Sequence, residues 1–286
     1  MKVFAIRDAA LPGEKDLAYL LYYEASRRFV VELRKDISRW ELPLSLGPFA
    51  EKGIQTLDFV WSRRWVEQRI IPPDRQNLGM ILKEHGLTEY DPFGLLMITS
   101  GRCAQDDCYL VPLKEGDLPE ELRQRMNRRV RELVHVREDR CLLIFGDGRI
   151  REIEFSQMLD GDPQLQRLLR YYRGLSGLRR APGGLGAEWT EEQFISAETL
   201  EQLSEPAVLA EEDLRAYVQN NLVSSGEAAE LLHCSRQNLN DLVRRGKLRP
   251  VREGRGGCLF LRRDVEERDE ARRTRPLRTD SSGCCG

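Results

Sequence analysis

Apolar positions cluster in short alternating runs at the start of the chain. Residues 2–6 read as a strand, and the stretch LAYLLYYEASRRFVVEL holds two β-rich runs around a polar turn at residues 24–28, a hairpin pattern. The period then lengthens. In TLDFVWSRRWVEQR, Leu57, Val60, Trp61 and Trp65 fall on one helical face, and in RQNLGMILKEHGL so do Leu78, Ile81 and Leu82, with Pro72 and Pro73 separating the two helices. Residues 112–129 shift toward charge and predict a connecting helix. VHVREDRCLLIFGDGRIREIEF then reads as strand, strand, tight turn, strand, because Asp147-Gly148 suits a turn that needs positive φ. The run Gly183, Gly184, Gly186 follows a helix rather than a strand, so it is expected to be a flexible surface loop and not a phosphate cradle. Residues 206–213 read as a short acidic link, and residues 274–286 as a disordered tail.

The richest pattern lies between the link and the tail. Ser225 is placed to cap a helix over GEAAELL, whose Ala228, Ala229 and Leu232 face inward and admit a second helix closely. His233-Cys234 forms a turn and Ser235 caps the second helix. Leu239, Leu242 and Val243 supply its apolar stripe, and Gly246 ends it. With that stripe buried, Arg236, Gln237, Asn240, Asp241 and Arg244 face outward, side chains that reach base edges and phosphates in a major groove. Two β-rich runs, 248–252 and 258–262, flank a Gly and Arg loop. Arg252 and Arg255 in this hairpin are expected at the phosphate backbone, and Asp264 is expected to cap a closing helix.

Charge sharpens this picture. The chain carries a net charge of −2, yet residues 236–263 hold nine Lys or Arg against Asp241 and Glu253 alone, a basic segment on an acidic body. GEAAELLHCSRQNLNDLVRRGKL followed by a basic hairpin resembles the excisionase and MerR-type winged helix-turn-helix family over about fifty residues. The resemblance implies binding of double-stranded DNA in transcription control or recombination. Asn240 and Asp241, on the face where many relatives are more basic or aromatic, depart from the pattern, and an Asp there repels phosphate unless it reads cytosine N4. Upstream, VREDRCLLIFGDGRIREIEFSQML with EWTEEQFISAETL loosely resembles a small prokaryotic domain of unknown function. The stretch from WSRRWVEQR to CAQDDCYL resembles the segment preceding the kinase in HipA-type proteins, without the kinase motifs.

The expected architecture is α+β and multi-domain: an α+β region over residues 1–118 as a possible docking element, a small α+β domain with a β-hairpin over 126–205, and a winged helix-turn-helix over 221–273. The expected function is that of a cytoplasmic, prokaryotic-type DNA-binding regulator or excisionase-like factor. In it Gln237, Asn240 and Arg244 read bases, Arg236, Arg252 and Arg255 hold phosphates, and Ser235 fixes the helix. Residues 1–205 are expected to serve a protein partner or self-association. The alternative is a protein-binding adaptor, or an antitoxin-like partner, whose helix-turn-helix does not meet DNA.

Other chemistry finds little support in the pattern. Cys103 and Cys108 lack a second Cys or His pair at zinc-like spacing, and the three histidines are scattered as His85, His135 and His233. Neither enzyme activity, cofactor nor metal is expected. No apolar run reaches the ~18 residues of a membrane helix, and the N-terminal residues lack a secretory pattern, so no membrane association is expected. Arg63, Arg64, Arg69 and Arg75 read as helix surface with ion pairs to Glu67 and Asp74.

Overall fold

A computed structural model describes residues 1–11, 13–158, 163–254 and 257–273. Its first sheet is antiparallel, ordered β3-β2-β1-β4, from β1 (Lys2–Asp8), β2 (Asp16–Tyr23), β3 (Arg28–Leu33) and β4 (Cys108–Leu113). The expected hairpin is β2 and β3. Its apolar run is nearly unbroken because both faces are covered, as a strand buried on two sides requires. Phe4, Ile6, Leu20, Tyr22 and Val31 meet Trp65, Val66, Leu95 and Leu96, while Val3, Ala5, Tyr19, Leu21 and Val30 meet Leu118, Leu122, Ala181 and Leu185.

Four helices lie between β3 and β4: α1 (Gly47–Glu51), α2 (Phe59–Glu67), α3 (Leu78–Glu84) and α4 (Pro92–Ile98). Asp58 caps α2 by accepting from the Trp61 N–H at 2.8 Å, which leaves Leu57 outside the helix. The buried face is therefore Phe59, Ser62, Trp65 and Val66, and Val60 and Trp61, expected inside, are 41% and 46% exposed. Arg69 also departs from its surface reading. It is buried, lies 3.9 Å over the Trp65 ring and pairs with Asp106 at 2.6 Å.

After α5 (Glu120–Asn127) comes a second antiparallel sheet, ordered β11-β7-β6-β5, from β5 (Val130–Arg137), β6 (Arg140–Phe145), β7 (Ile150–Glu154) and β11 (Glu205–Pro206). Gly148 turns the β6–β7 connection at φ +87°, and Asp147 Oδ1 accepts the Arg149 N–H at 3.0 Å. One face of this sheet packs on α6 (Phe155–Met158), α7 (Pro163–Tyr171), α8 (Ala197–Leu203) and a small sheet of β8 (Arg179–Arg180), β9 (Gly186–Glu188) and β10 (Phe194–Ser196). The glycine run before β9 is tightly packed rather than loose. A Cβ at Gly183 would strike the Tyr23 ring, and one at Gly184, which sits at φ +68°, the Val130 carbonyl oxygen.

Ion pairs tie β3 to α5, to the residue before β5 and to the small sheet. Glu32, fully buried, receives Arg125 at 2.8 Å and Arg129 at 2.5 Å, and Arg28 meets Glu188 at 2.5 Å. The acidic link is also structured: α9 (Glu211–Asn221) covers the second face of the second sheet, with Ala216 against Val134 and Leu142 and Asp213 on Arg140 at 2.5 Å.

From α9 the chain passes straight into β12 (Leu222–Ser224), α10 (Ser225–Leu231), α11 (Arg236–Arg244), β13 (Arg252–Gly254), β14 (Gly257–Leu261) and α12 (Arg262–Arg273), with a sheet ordered β12-β14-β13. The described residues are α+β throughout and close with this region of three strands and three helices.

Candidate nucleic-acid interface

The C-terminal region is organised around a small apolar core of Val223, Ala228, Ala229, Leu232, Leu239, Leu248, Phe260 and Val265. Alanines at positions 228 and 229 let α11 approach α10, as their small size requires. The cap of α10 is Ser224, not Ser225. Ser224 Oγ accepts the Glu227 N–H at 3.3 Å, and the Glu227 carboxylate accepts the Ser224 N–H at 2.7 Å. These hydrogen bonds, to the Ser224 backbone first, hold the Glu227 carboxyl below its usual range. Serine-x-x-glutamate at 224–227 is a legible capping signal, so the correct start was open to a sequence reading. Ser225 does other work: its Oγ accepts the Cys258 N–H at 3.0 Å and lies 3.1 Å from the Cys258 carbonyl, fastening α10 to β14.

The turn between α10 and α11 contains His233 at φ +48°. Ser235 then caps α11 by accepting the Asn238 N–H at 3.2 Å. The far end closes with Gly246 at φ +65°, where the Gly246 N–H donates to Val243 and the Lys247 N–H to Leu242, both at 2.9 Å. Leu239 is buried, Leu242 and Val243 pack partly on the core, and the opposite face carries Arg236, Gln237, Asn240 and Arg244, all exposed. The structure thus brings Ser235, Arg236, Gln237, Asn240 and Arg244 together on one short helix.

Two of these side chains have neighbours that shape their reach. Arg244 pairs with Asp241 at 2.6 Å, one turn back along the helix. The guanidinium of Arg236 leans over α10, 3.4 Å from where a Cβ on Gly226 would lie. Gly226 therefore leaves Arg236 room to cross the turn.

The first of the following strands is shorter than expected and shifted, since β13 spans Arg252–Gly254, while β14 (Gly257–Leu261) keeps the expected length, and β12 adds a third strand that the sequence pattern did not announce. Arg252 is exposed on β13, while Arg255 lies outside the described residues, as does the tail at 274–286. Helix α12 starts at Arg262, so Asp264 sits in its first turn rather than before it. Two arginines at this start anchor the region to the body: Arg262 donates to the Asn220 carbonyl at 3.2 Å, and Arg263 pairs with Glu132 of β5.

Elsewhere, His135 Nε2 lies 2.7 Å from the Leu178 carbonyl and Nδ1 3.2 Å from Cys141 Sγ. Burial pushes the Cys141 thiol up to about 12, so the contact holds a neutral thiol in a core. Among the described residues no group of three or more His, Cys, Asp or Glu is arranged to hold a metal ion, and no helix is long and apolar enough to cross a membrane.

Comparison with known protein families gives one match relevant to this geometry. Residues 222–273 match a family described as a helix-turn-helix domain, which spans β12 through α12. The match supports a C-terminal helix-turn-helix and, with it, a DNA-binding, regulatory type of role in general. No curated protein and no solved structure matches the chain.

Proposed function

We propose that the protein binds duplex DNA sequence-specifically, with α11 in the major groove and the β13–β14 hairpin as a wing on the backbone, in the manner of excisionase and MerR-type regulators. The observation that carries this reading is the exposed face of α11, capped by Ser235 and presenting Arg236, Gln237, Asn240 and Arg244 together. Gln237 and Asn240 offer amides for base edges, and Arg244 a guanidinium for guanine. Arg236 and Arg252 meet phosphates, a role the sequence pattern also gives to Arg255. No enzymatic step is part of the proposal.

One observation favours the alternative of a protein-binding adaptor: the Arg244–Asp241 pair halves the positive character of the reading face. Binding of the full chain to random duplex DNA across a salt series, followed by selection of enriched sequences, separates the two. Salt-dependent binding with an enriched site supports the regulator, and no binding to any duplex overturns it. Within the regulator, Arg244→Ala reduces discrimination among sequences by ~1–3 kcal/mol, whereas Arg252→Ala weakens all duplexes alike. Identical behaviour of the two variants would refute the assignment of roles.

A further inference from the structure

The segment from residue 163 to residue 187 contains five arginines, Arg167, Arg170, Arg173, Arg179 and Arg180, and no acidic residue. Arginines elsewhere in the body are largely neutralised, as Arg28, Arg125, Arg129, Arg140 and Arg149 show. In this segment Arg179 pairs with Glu188 at 3.2 Å, and among the described residues Arg167, Arg170 and Arg173 have no carboxylate within ion-pair distance.

Packing explains why the charges face outward. Helix α7 commits Leu165 and Leu169 to the core, which turns Arg167 and Arg170 to solvent one helical turn apart, ~5 Å along the axis. Tyr171, 77% exposed, is held in place from behind: its ring meets Tyr172 edge-on at 4.9 Å, and Tyr172 stacks on Trp189 at 5.1 Å and 6°. Arg173 follows at φ +55° and is exposed. The segment ends toward α12, where burial raises the Glu266 carboxyl and the charges of Arg262 and then Arg180 oppose that rise. A crevice lined by Ala25, Glu227, Glu230, Arg262 and Glu266 marks the seam between that region and the β2–β3 turn.

Guanidinium forks and a rigid phenol hydroxyl suit phosphate oxygens, and contacts to phosphate position a protein on a duplex without reading it. We propose that α7 and the loop after it form a second DNA-contacting surface, on which Arg167, Arg170, Tyr171 and Arg173 hold backbone phosphates flanking the site read by α11. This depends on the DNA-binding function proposed above. The surface adds affinity and length of contact, and leaves the choice of bases to α11.

The test uses the full chain, its selected site trimmed to the recognised bases, and the same site within a longer duplex. On the longer duplex, the triple variant Arg167→Ala/Arg170→Ala/Arg173→Ala loses ~2–3 from the slope of log affinity against log salt, since each phosphate contact contributes ~0.9. Its footprint shortens on one side, while its selected sequence and its affinity for the trimmed duplex match the wild type. The triple Lys variant restores the slope, which separates loss of charge from loss of folding. A wild-type slope and footprint in the Ala variant, with wild-type protein binding the selected site, overturns the second surface alone. Failure of the wild type to bind any duplex overturns the DNA-binding function and this surface with it.

Discussion

Ser235 shows how much a single hydroxyl decides at the residue scale. It satisfies the Asn238 N–H at the start of α11, and without it that donor has no partner within the helix. Ser235→Ala therefore costs ~1 kcal/mol of stability, measured as a shift in the urea midpoint, and weakens binding to all duplexes together because the helix start frays. Asp241 acts in the opposite sense. It occupies Arg244 at 2.6 Å and brings a negative charge to the reading face, so Asp241→Asn raises affinity for duplex DNA. Unchanged or reduced affinity in a salt titration would argue that Asp241 itself accepts a hydrogen bond from a base.

At the scale of elements, α9 is held to the second sheet by Asp213 on Arg140, and α12 of the helix-turn-helix is tied to β5 of the same sheet by Arg263 on Glu132. Burial alone raises the Asp213 carboxyl. Hydrogen bonds from Arg140 and from the Ala210 N–H outweigh it and hold the group below its usual range. A carboxyl depressed in this way contributes stability that is complete above its unfolded value of ~4 and is lost as pH falls through the folded value. The stability difference between wild type and Asp213→Asn should accordingly be full at neutral pH and shrink as pH drops below ~4. A difference independent of pH, in urea titrations at each pH, would show that the ion pair does not hold the helix.

The same scale shows what could be read from sequence and what could not. Helices α10 and α11 were legible because their signals are local: Ala228 and Ala229, the stripe Leu239-Leu242-Val243, Ser235 and Gly246 all act within a turn or two of themselves. Neighbouring serines blurred the start of α10 by one residue. Helix α9 was not legible, because its acidic first turn has the composition of a linker. Its docking depends on Ala216 meeting Val134 and Leu142, which lie 82 and 74 residues earlier in the chain. Gly183 and Gly184 were misread for the same reason, since their neighbours Tyr23 and Val130 are remote in sequence. The exposed face of α11 was placed correctly by helical spacing, whereas the Arg244–Asp241 pair is a rotamer choice that spacing leaves open.

Across the whole molecule, the first sheet is joined to α5 and to the residue just before β5 through charges that have left water. Glu32 is fully buried between Arg125, Arg129 and the Thr56 hydroxyl, which donates to it at 2.9 Å. Removing one member of such a group leaves the others uncompensated. Glu32→Gln should cost ~3–5 kcal/mol in global stability. Hydrogen exchange at β2 and β6 should report one common unfolding free energy in the wild type. Separate values for the two strands would show that the sheets unfold independently despite the buried charges around Glu32.

Leu222 closes α9 and opens β12, so no slack separates α9, which covers the sheet that contains Arg140, from the helix-turn-helix. A reading head on a tether samples many orientations and must give up that freedom on docking. Here the orientation is settled before the encounter, and the rest of the molecule comes along with every approach. A single residue inserted into α9 would turn everything beyond it by ~100°. Such an insertion would leave each part folded and aim it wrongly, which makes the angle of presentation, rather than the reading helix alone, a heritable property of this chain.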